Sequence, residues 1–314
     1  MRLSPAYATP PPRKPLYANL AGVKVGDGFP VRIVGVLNVS PESFYRGSVA
    51  RGTRALQRRA ERMVNEGAAI LDIGAMSTAP YLEGTISEDD EVRRMVKAID
   101  AVRQVSAIPL SADTQRSRVA AAALDAGACL INDVSGLAAD PAMAGVARSA
   151  QGVILMASEQ VPSPAHPITV ILTLLRHALR RARAARIAPD RIVVDPGIGF
   201  FRRAALPWHA FDCVALAQLS RLRQLGHPVL VGVSRKSFLG RLTGREPVEE
   251  RLFGSLAATA LAVAHGAALV RTHDVAPTRD AIRVAEAVCN ASGSGGPRDR
   301  QGAAQQPTPP RRTR

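Results

Sequence analysis

The sequence predicts an α/β protein that forms a single (β/α)8 TIM barrel, and three observations support this fold class. Short apolar runs rich in β-branched residues recur along the chain, each followed by an amphipathic segment with helical spacing. There are about eight such units over about 250 residues, the usual size of this barrel. The runs are almost continuously apolar, as expected for strands covered on both sides. An open doubly wound sheet is the structural alternative, but no glycine-rich phosphate-binding pattern follows the first run.

The predicted elements follow one another through a single domain at residues 31–290. In chain order the strands are VRIVGVLN, AAILDIGA, IPLSADT, CLINDVS, GVILMA, IVVDPGI, PVLVGVS and ALVRTHDV. The Ala-, Arg- and Glu-rich segments between them are predicted to form the outer ring of helices. Residues 1–30 and 291–314 are rich in Pro, Gly and Arg, so we predict an N-terminal extension and a basic tail, both disordered.

Composition excludes several classes of protein. A hydrophobic content of 46% supplies a full core. No apolar run approaches the roughly 20 residues of a membrane-spanning helix, and the N-terminus lacks a secretory signal, so we expect a cytoplasmic protein. The net charge of +15 lies on helix faces and in the tail, and no aromatic platform accompanies it, so nucleic-acid binding is not expected as the main function. The three cysteines are interpreted as packing residues.

Polar residues close almost every predicted strand, at the end of the barrel where active sites form. An isolated acid such as Asp72 or Asp133 is more often a helix cap or a loop-bonding group. The combination of amides, acids and bases from several strands instead indicates a pocket for a flat nitrogen heterocycle beside an anion. In chain order these residues are Asn38, Asp72, Ser77, Thr78, Asp113, Thr114, Asn132, Asp133, Asp195, Ser234, Arg235, Lys236, Arg271, His273 and Asp274.

Five segments resemble the motifs of dihydropteroate synthases, in the order of that family. They are NVSPESF, LSADTQRSRVAAAALDAGACLINDVSG, VVDPGIGF, VGVSRKSFLG and VRTHDV, and the resemblance extends roughly from Arg32 to Val288. It implies a (β/α)8 barrel, commonly a homodimer. It also implies an enzyme that joins 6-hydroxymethyl-7,8-dihydropterin diphosphate to an aromatic amine and releases diphosphate, with Mg²⁺ as cofactor.

The resemblance implies a role for each matched position. The pterin-binding residues are Asp113, Asn132, Asp195 and Lys236, of which Asp113 and Lys236 are also the catalytic residues. A carboxylate at Asp113 suits the cationic character of the carbon that loses diphosphate. The diphosphate-binding residues are Asn38, Arg271 and His273, the last two acting as positive donors. Asn38 is also the metal ligand, because Mg²⁺ is usually held by few protein oxygens together with substrate phosphates. Ser237 and Phe200 are assigned to the acceptor.

The positions at which this chain departs from the family motifs bear on which acceptor it uses. The first loop has Glu42 and Tyr45-Arg46, the second has Ala79 where the family has arginine, and Met156 is followed by Ala157 instead of histidine. After the sixth strand, Phe201-Arg202-Arg203 replaces Gly-Lys. These loops are similar to the dihydropteroate-synthase-like enzymes of tetrahydromethanopterin biosynthesis. We therefore predict 4-(β-D-ribofuranosyl)aminobenzene 5′-phosphate as acceptor, with Arg46, Arg202 and Arg203 near its phosphate.

Three alternatives stay open at this point. The first is a conventional dihydropteroate synthase of folate biosynthesis, which uses 4-aminobenzoate. The second is a pterin-binding methyltransferase on the same barrel, although Lys236 in SRKSF argues against it. The third is a non-catalytic pterin- or nucleic-acid-binding protein. A decayed, inactive copy is disfavoured because every pterin-facing position that can be matched is retained. The residue that replaces the missing loop arginine at position 79 cannot be identified from the sequence.

Overall fold

A computed structural model describes residues 14–40, 52–76, 86–158, 162–203 and 206–291. Two short strands, β1 (Tyr17–Leu20) and β2 (Val23–Gly26), form an antiparallel hairpin before the barrel. The barrel strands are β3 (Arg32–Asn38), β4 (Ile70–Gly74), β5 (Leu110–Asp113), β6 (Leu130–Asp133), β7 (Gly152–Met156), β8 (Ile192–Asp195), β9 (Leu230–Val231) and β10 (Leu269–Thr272). The predicted α/β fold class is confirmed.

The eight barrel strands are parallel and almost close on themselves. Their order is β8-β7-β6-β5-β4-β3-β10-β9, which leaves β8 and β9 at the two edges. A parallel bridge between Val194 and Val229 joins these edges, and the Val194 N–H donates to the Pro228 carbonyl at 3.0 Å. Because all strands run in one direction, their carboxyl ends meet at one rim of the barrel.

Helices surround the strands and begin and end at residues suited to those positions. Helix α2 begins after Ser87, whose side chain accepts the Asp90 N–H at 3.1 Å, and four acidic residues occupy its first turn. Helix α5 has a proline in its first turn. The helices are α1 (Thr53–Glu66), α2 (Glu88–Arg103), α3 (Ser117–Asp125), α4 (Met143–Ala147), α5 (Pro167–Ala184), α6 (Trp208–Ala217), α7 (Ser237–Thr243), α8 (Leu252–Ala264) and α9 (Val275–Ala291).

The N-terminal hairpin corrects the prediction of a disordered extension for residues 14–30. Ala18, Leu20 and Val25 are fully buried in one cluster with the first residues of the barrel strands, among them Ile70 and Leu130. The apolar residues alternate along both hairpin strands, so one face is apolar and covers the amino-terminal end of the barrel. Residues 1–13 and 292–314 lie outside the described residues, so disorder there stays a prediction.

Within the described ranges, no helix is long and apolar enough to cross a membrane. A cytoplasmic location stays a prediction.

Candidate active site at the carboxyl ends of the strands

The barrel brings six predicted site residues to one rim. Asn38, Asp113 and Asp195 are the last residues of β3, β5 and β8, and Asn132 lies one residue before the end of β6. Arg271 lies near the end of β10, and His273 follows that strand directly. The sequence prediction that these positions converge depends only on parallel strands ending together, and the structure confirms it for this part of the chain.

Arg271 joins two buried acids at the centre of the rim. Its Nε donates to Asp72 Oδ2 at 2.6 Å, and its Nη2 donates to Asp113 Oδ2 at 2.7 Å. Asn132 Nδ2 also donates to Asp72 Oδ2, at 3.0 Å. Asp72 therefore does not cap a loop, which corrects the simpler sequence interpretation. Asp133 does have that role, because its carboxylate accepts the Ser135 and Leu137 N–H groups at 2.7 and 2.8 Å.

The acids of the rim lie in a desolvated environment. Burial raises the pKa of Asp113 to about 7, although Arg271 acts in the opposite direction. Burial also raises the pKa of Asp195, against the effect of Lys236. Asp72 Oδ1 and Asp113 Oδ1 make no hydrogen bond within the described part of the chain. The rim thus presents carboxylate oxygens that can accept hydrogen bonds from a ligand rich in N–H groups.

Lys236 follows β9 and lies against the loop after β8. Its Nζ donates to the Ile198 carbonyl and lies 4.7 Å from the centroid of the Phe200 ring. Burial lowers the pKa of Lys236 to about 8, while Asp195 and Asp212 oppose that effect. The preceding Arg235 has φ of 56° and is held by two hydrogen bonds to Asp274, at 2.8 and 2.9 Å. This anchored turn sets the direction in which Lys236 leaves the backbone.

Two further predicted acceptor residues lie next to Lys236. Arg202 Nη2 donates to Ser237 Oγ at 2.6 Å, and the Arg202 guanidinium lies 4.3 Å from the Trp208 ring centroid. A guanidinium beside a hydroxyl is a suitable binding place for a carboxylate or a phosphate. Arg203 is exposed, and its assignment to the acceptor stays a prediction. Arg46, like Ser77, Thr78 and Ala79, lies outside the described residues.

His273 differs from its predicted role as a positive donor. Its Nδ1 lies 2.9 Å from Ser234 Oγ, which also accepts the His273 backbone N–H at 3.2 Å. Burial, followed by the neighbouring cation Arg271, lowers the pKa of His273 well below its usual range. The side chain is therefore a neutral imidazole near pH 7, and Arg271 is the cation of this pair.

Asn38 and Asp113 suit a hard cation. A β-carbon placed on Gly74 would lie 3.2 Å from Asn38 Oδ1 and 3.8 Å from Asp113 Oδ2, so the missing side chain leaves room beside both oxygens. Amide and carboxylate oxygens are the donors that Mg²⁺ prefers. No group of three or more His, Cys, Asp or Glu side chains able to hold a metal occurs among the residues described. These donors fit a cation that takes most of its ligands from phosphates and water.

Sequence reasoning missed two side chains that shape the site, Trp208 and Asp212. It named Asp72 and Arg235 but not their partners, Arg271 and Asp274. Asp72 and Asp212 gave a usable signal, because each is the one acid in an apolar segment, ILDIG and WHAFDCVALA. Such an acid is costly to bury without a partner. Trp208 gave no signal of its own, and the pairing of Arg235 with Asp274 gave none either, because both depend on loops that meet only in the folded barrel.

Comparisons with known proteins agree with this geometry. A family model described as "Pterin binding enzyme" matches residues 34–273. A dihydropteroate synthase of Synechocystis sp. is 37% identical over 264 residues, which cover 82% of this chain and 89% of that protein. The Bacillus subtilis dihydropteroate synthase is 34% identical over 262 residues, covering 83% of this chain and 90% of that protein.

Solved structures give the same result. A Xanthomonas albilineans dihydropteroate synthase with 4-aminobenzoic acid superposes with a TM-score of 0.78 at 36% identity, covering 88% of this chain and 98% of that one. A Coxiella burnetii dihydropteroate synthase in complex with pteroic acid also has a TM-score of 0.78, at 34% identity, covering 88% of this chain and 99% of that one.

Proposed function

The chain belongs to the dihydropteroate synthase family of pterin-binding enzymes, and from this premise we propose that it joins 6-hydroxymethyl-7,8-dihydropterin diphosphate to 4-aminobenzoate. It is a transferase. The observation that best supports the proposed reaction is the meeting of Asp113, Asn132 and Asp195 with Lys236 at one rim. A pathway leading to folate follows from this acceptor.

The acceptor proposed here differs from the one predicted from the loops. The comparisons give no support to a ribofuranosyl phosphate acceptor, and the Xanthomonas albilineans relative was solved with 4-aminobenzoic acid. The loop residues on which that prediction rested, Arg46 above all, lie outside the described residues. Arg202 contacts Ser237, the residue after Lys236. An anion held there lies close to the reacting centre, which suits a short acceptor whose amine and carboxylate are separated by one ring.

In the proposed reaction the bond from the exocyclic methylene carbon to the diphosphate oxygen breaks, and diphosphate takes the electron pair. The amine nitrogen of the acceptor forms the new C–N bond and loses a proton. Asp113, Asn132 and Asp195 accept hydrogen bonds from the pterin, while Lys236 lies between pterin and acceptor. The Asp113 carboxylate stabilises the positive charge that develops on the methylene carbon, and it does so most strongly where water is excluded.

The leaving diphosphate is assigned to Arg271, His273 and Asn38. Arg271 supplies positive charge and neutral His273 supplies a hydrogen bond. Asn38, with Asp113 beside it, would hold Mg²⁺. When bound, this cation neutralises charge on the diphosphate and makes it a better leaving group.

Diphosphate release tests the proposed function directly. Purified protein is supplied with Mg²⁺, the pterin diphosphate and either 4-aminobenzoate or 4-(β-D-ribofuranosyl)aminobenzene 5′-phosphate at matched concentrations. We expect release with 4-aminobenzoate and a lower kcat/KM with the phosphorylated acceptor. A higher kcat/KM with the phosphorylated acceptor would instead support a role in tetrahydromethanopterin biosynthesis. Release with neither acceptor would contradict a synthase and favour a methyltransferase or a binding protein.

Two variants in the same assay test whether Arg202 binds the acceptor. Arg202→Ala removes a charged hydrogen-bond donor, so the KM for 4-aminobenzoate should rise about 10- to 100-fold while the KM for the pterin diphosphate stays nearly constant. Arg241→Ala removes an exposed arginine from α7, the helix that begins at Ser237, and serves as the control for loss of charge. Equal KM values for wild type and Arg202→Ala would remove Arg202 from the acceptor site.

We also propose that the chain forms a homodimer through α8 and α9. The exposed positions of α8 carry no charge, and Phe253 and Leu261 are 77% and 56% exposed. Val284 of α9 is 65% exposed. An apolar face of this kind usually marks an interface, and a second copy covers it symmetrically. Phe253→Glu should convert a wild-type mass of about twice 33.2 kDa into the monomer mass in sedimentation analysis. A monomeric wild type would exclude this dimer.

A further inference from the structure

Asp212 is a buried acid for which the reaction described above has no use. It is 1% exposed and lies on α6 between Phe211, which is also buried, and Cys213. Burying a carboxylate costs free energy unless hydrogen bonds or opposite charges compensate. The contacts of Asp212 therefore indicate what it does.

Asp212 and Lys236 contact the same short piece of backbone, residues 198–199. Asp212 Oδ1 accepts the Gly199 N–H at 2.8 Å, and Oδ2 makes no hydrogen bond within the part of the chain that the structure describes. Gly199 has φ of 83°, and a β-carbon there would lie 2.8 Å from Lys236 Cδ and 3.6 Å from its Nζ. The ammonium donates to the carbonyl of Ile198, the neighbouring residue. The backbone at 198–199 thus lies between the acid and the lysine.

The charges around Lys236 come from several elements. Asp195 of β8 and Asp212 of α6 face it with negative charge, while Arg271 of β10 and Arg202 face it with positive charge. The neutral His273 also interacts electrostatically with Lys236. Asp212 in turn faces Lys236 and Arg202. Burial lowers the pKa of Lys236 to about 8 and raises the pKa of Asp212 to about 6, so near pH 7 both groups are charged and attract each other across the 198–199 backbone.

We propose that Asp212 is a positioning residue for Lys236: it fixes the 198–199 backbone on which the lysine side chain lies, and its negative charge keeps that side chain an ammonium. The assignment of Lys236 to pterin and acceptor rests on the proposed function, whereas the coupling between Asp212 and Lys236 does not. A charged lysine donates hydrogen bonds to both substrates. A neutral amine at the same place carries no positive charge, so its hydrogen bonds to the pterin and to the acceptor would be weaker.

Lysine NMR measures this coupling without turnover. The chain has only four lysines, at positions 14, 24, 97 and 236, and the first three are exposed. With ¹³Cε-labelled lysine, the signal that disappears in Lys236→Met is assigned to Lys236. Asp212→Asn keeps an oxygen for the Gly199 N–H and removes the charge. Because a lost negative charge favours the neutral amine, the Lys236 titration midpoint should fall by about one pH unit.

The exposed Asp190→Asn is the matched control, since it removes one negative charge elsewhere and should leave the midpoint in place. An unchanged midpoint in Asp212→Asn would overturn the proposal. Kinetics add a second readout: the alkaline limb of the kcat/KM profile should move to lower pH in Asp212→Asn. Asp212→Ala, which also frees the Gly199 N–H, should lower kcat a further tenfold or so at every pH.

These results separate the two proposals. If wild type releases no diphosphate, the proposed function fails, and the NMR titration still decides the role of Asp212. If wild type is active and the titration midpoint does not move, only the role of Asp212 fails. A pH-independent loss of activity in Asp212→Asn with an unmoved midpoint would give Asp212 a purely structural role and likewise overturn the proposal.

Discussion

Replacing Asp113 by asparagine should lower kcat/KM for the pterin diphosphate by about 10²- to 10³-fold. The substitution keeps the shape of the side chain and an oxygen for the hydrogen bond from Arg271, which is 2.7 Å long in the wild type. It removes the negative charge next to the carbon that becomes positive as diphosphate leaves. Because that charge acts mainly in the transition state, kcat should fall more than pterin affinity.

Asp133→Asn is the matched control for this variant. Asp133 is a buried acid on the neighbouring strand β6, and the hydrogen bonds that it accepts within the described residues come from its own loop. We expect Asp133→Asn to lower the melting temperature and to change kcat/KM less than tenfold. Diphosphate release at several substrate concentrations measures both variants. If Asp113→Asn retained kcat/KM within threefold of wild type, the electrostatic role of Asp113 would be wrong.

Replacing Arg271 by methionine should cost about 3–5 kcal/mol of unfolding free energy. Arg271 is the shared partner of Asp72 and Asp113, and the Asp72 side chain is 0% exposed. Without the guanidinium, two buried carboxylates face each other with Asn132 as the remaining hydrogen-bond donor to Asp72. Denaturant unfolding measures the loss, and diphosphate release should be nearly abolished in the same variant.

The cost of Arg271→Met should depend on pH in a defined direction. Burial already raises the pKa of Asp113 to about 7 in the wild type, and removing Arg271 raises it further. The loss of stability is greatest at a pH above this raised pKa, where the buried Asp113 carboxyl is charged without its cation. As pH falls toward 7 and below, Asp113 takes up a proton in the variant, so the loss becomes smaller. Asp72→Asn combined with Arg271→Met should recover part of the stability, and a loss independent of pH and of Asp72 would contradict the ion-pair explanation.

The sequence predicts the barrel and most of its rim because both follow from local patterns. An apolar run that closes on Asn38 or Asp113 is a strand with a polar end, and parallel strands bring such ends together. The pairing of Asp72 with Arg271 was missed because 199 positions separate the two residues. An acid at a strand end has the same local sequence signal whether it caps a loop or pairs across the barrel.

The acceptor is the part of the function on which the loop pattern and the comparisons disagree. Loop substitutions such as Ala79 show that the arginine of the family is missing. A missing side chain does not identify which acceptor the altered loop binds. Arg202 and Ser237 were both assigned to the acceptor, and the structure brings them into contact, whereas the contact of Arg202 with the Trp208 ring had no sequence signal. The N-terminal hairpin was missed for a different reason: the proline-rich segment before it masked a short apolar alternation.

That hairpin has a consequence for the order in which the nascent chain can fold. Its apolar residues Ala18 and Leu20 pack on strands that are synthesised much later, including β7, where Leu20 meets Gly152. Asp27, just after the hairpin, binds Arg223 at 2.9 Å. The hairpin is translated before these strands, so its apolar face is fully covered only after a further 196 positions, up to Arg223, have been added. Covering the amino-terminal end of the barrel is therefore a late folding step, although it uses a segment that is translated before the barrel strands.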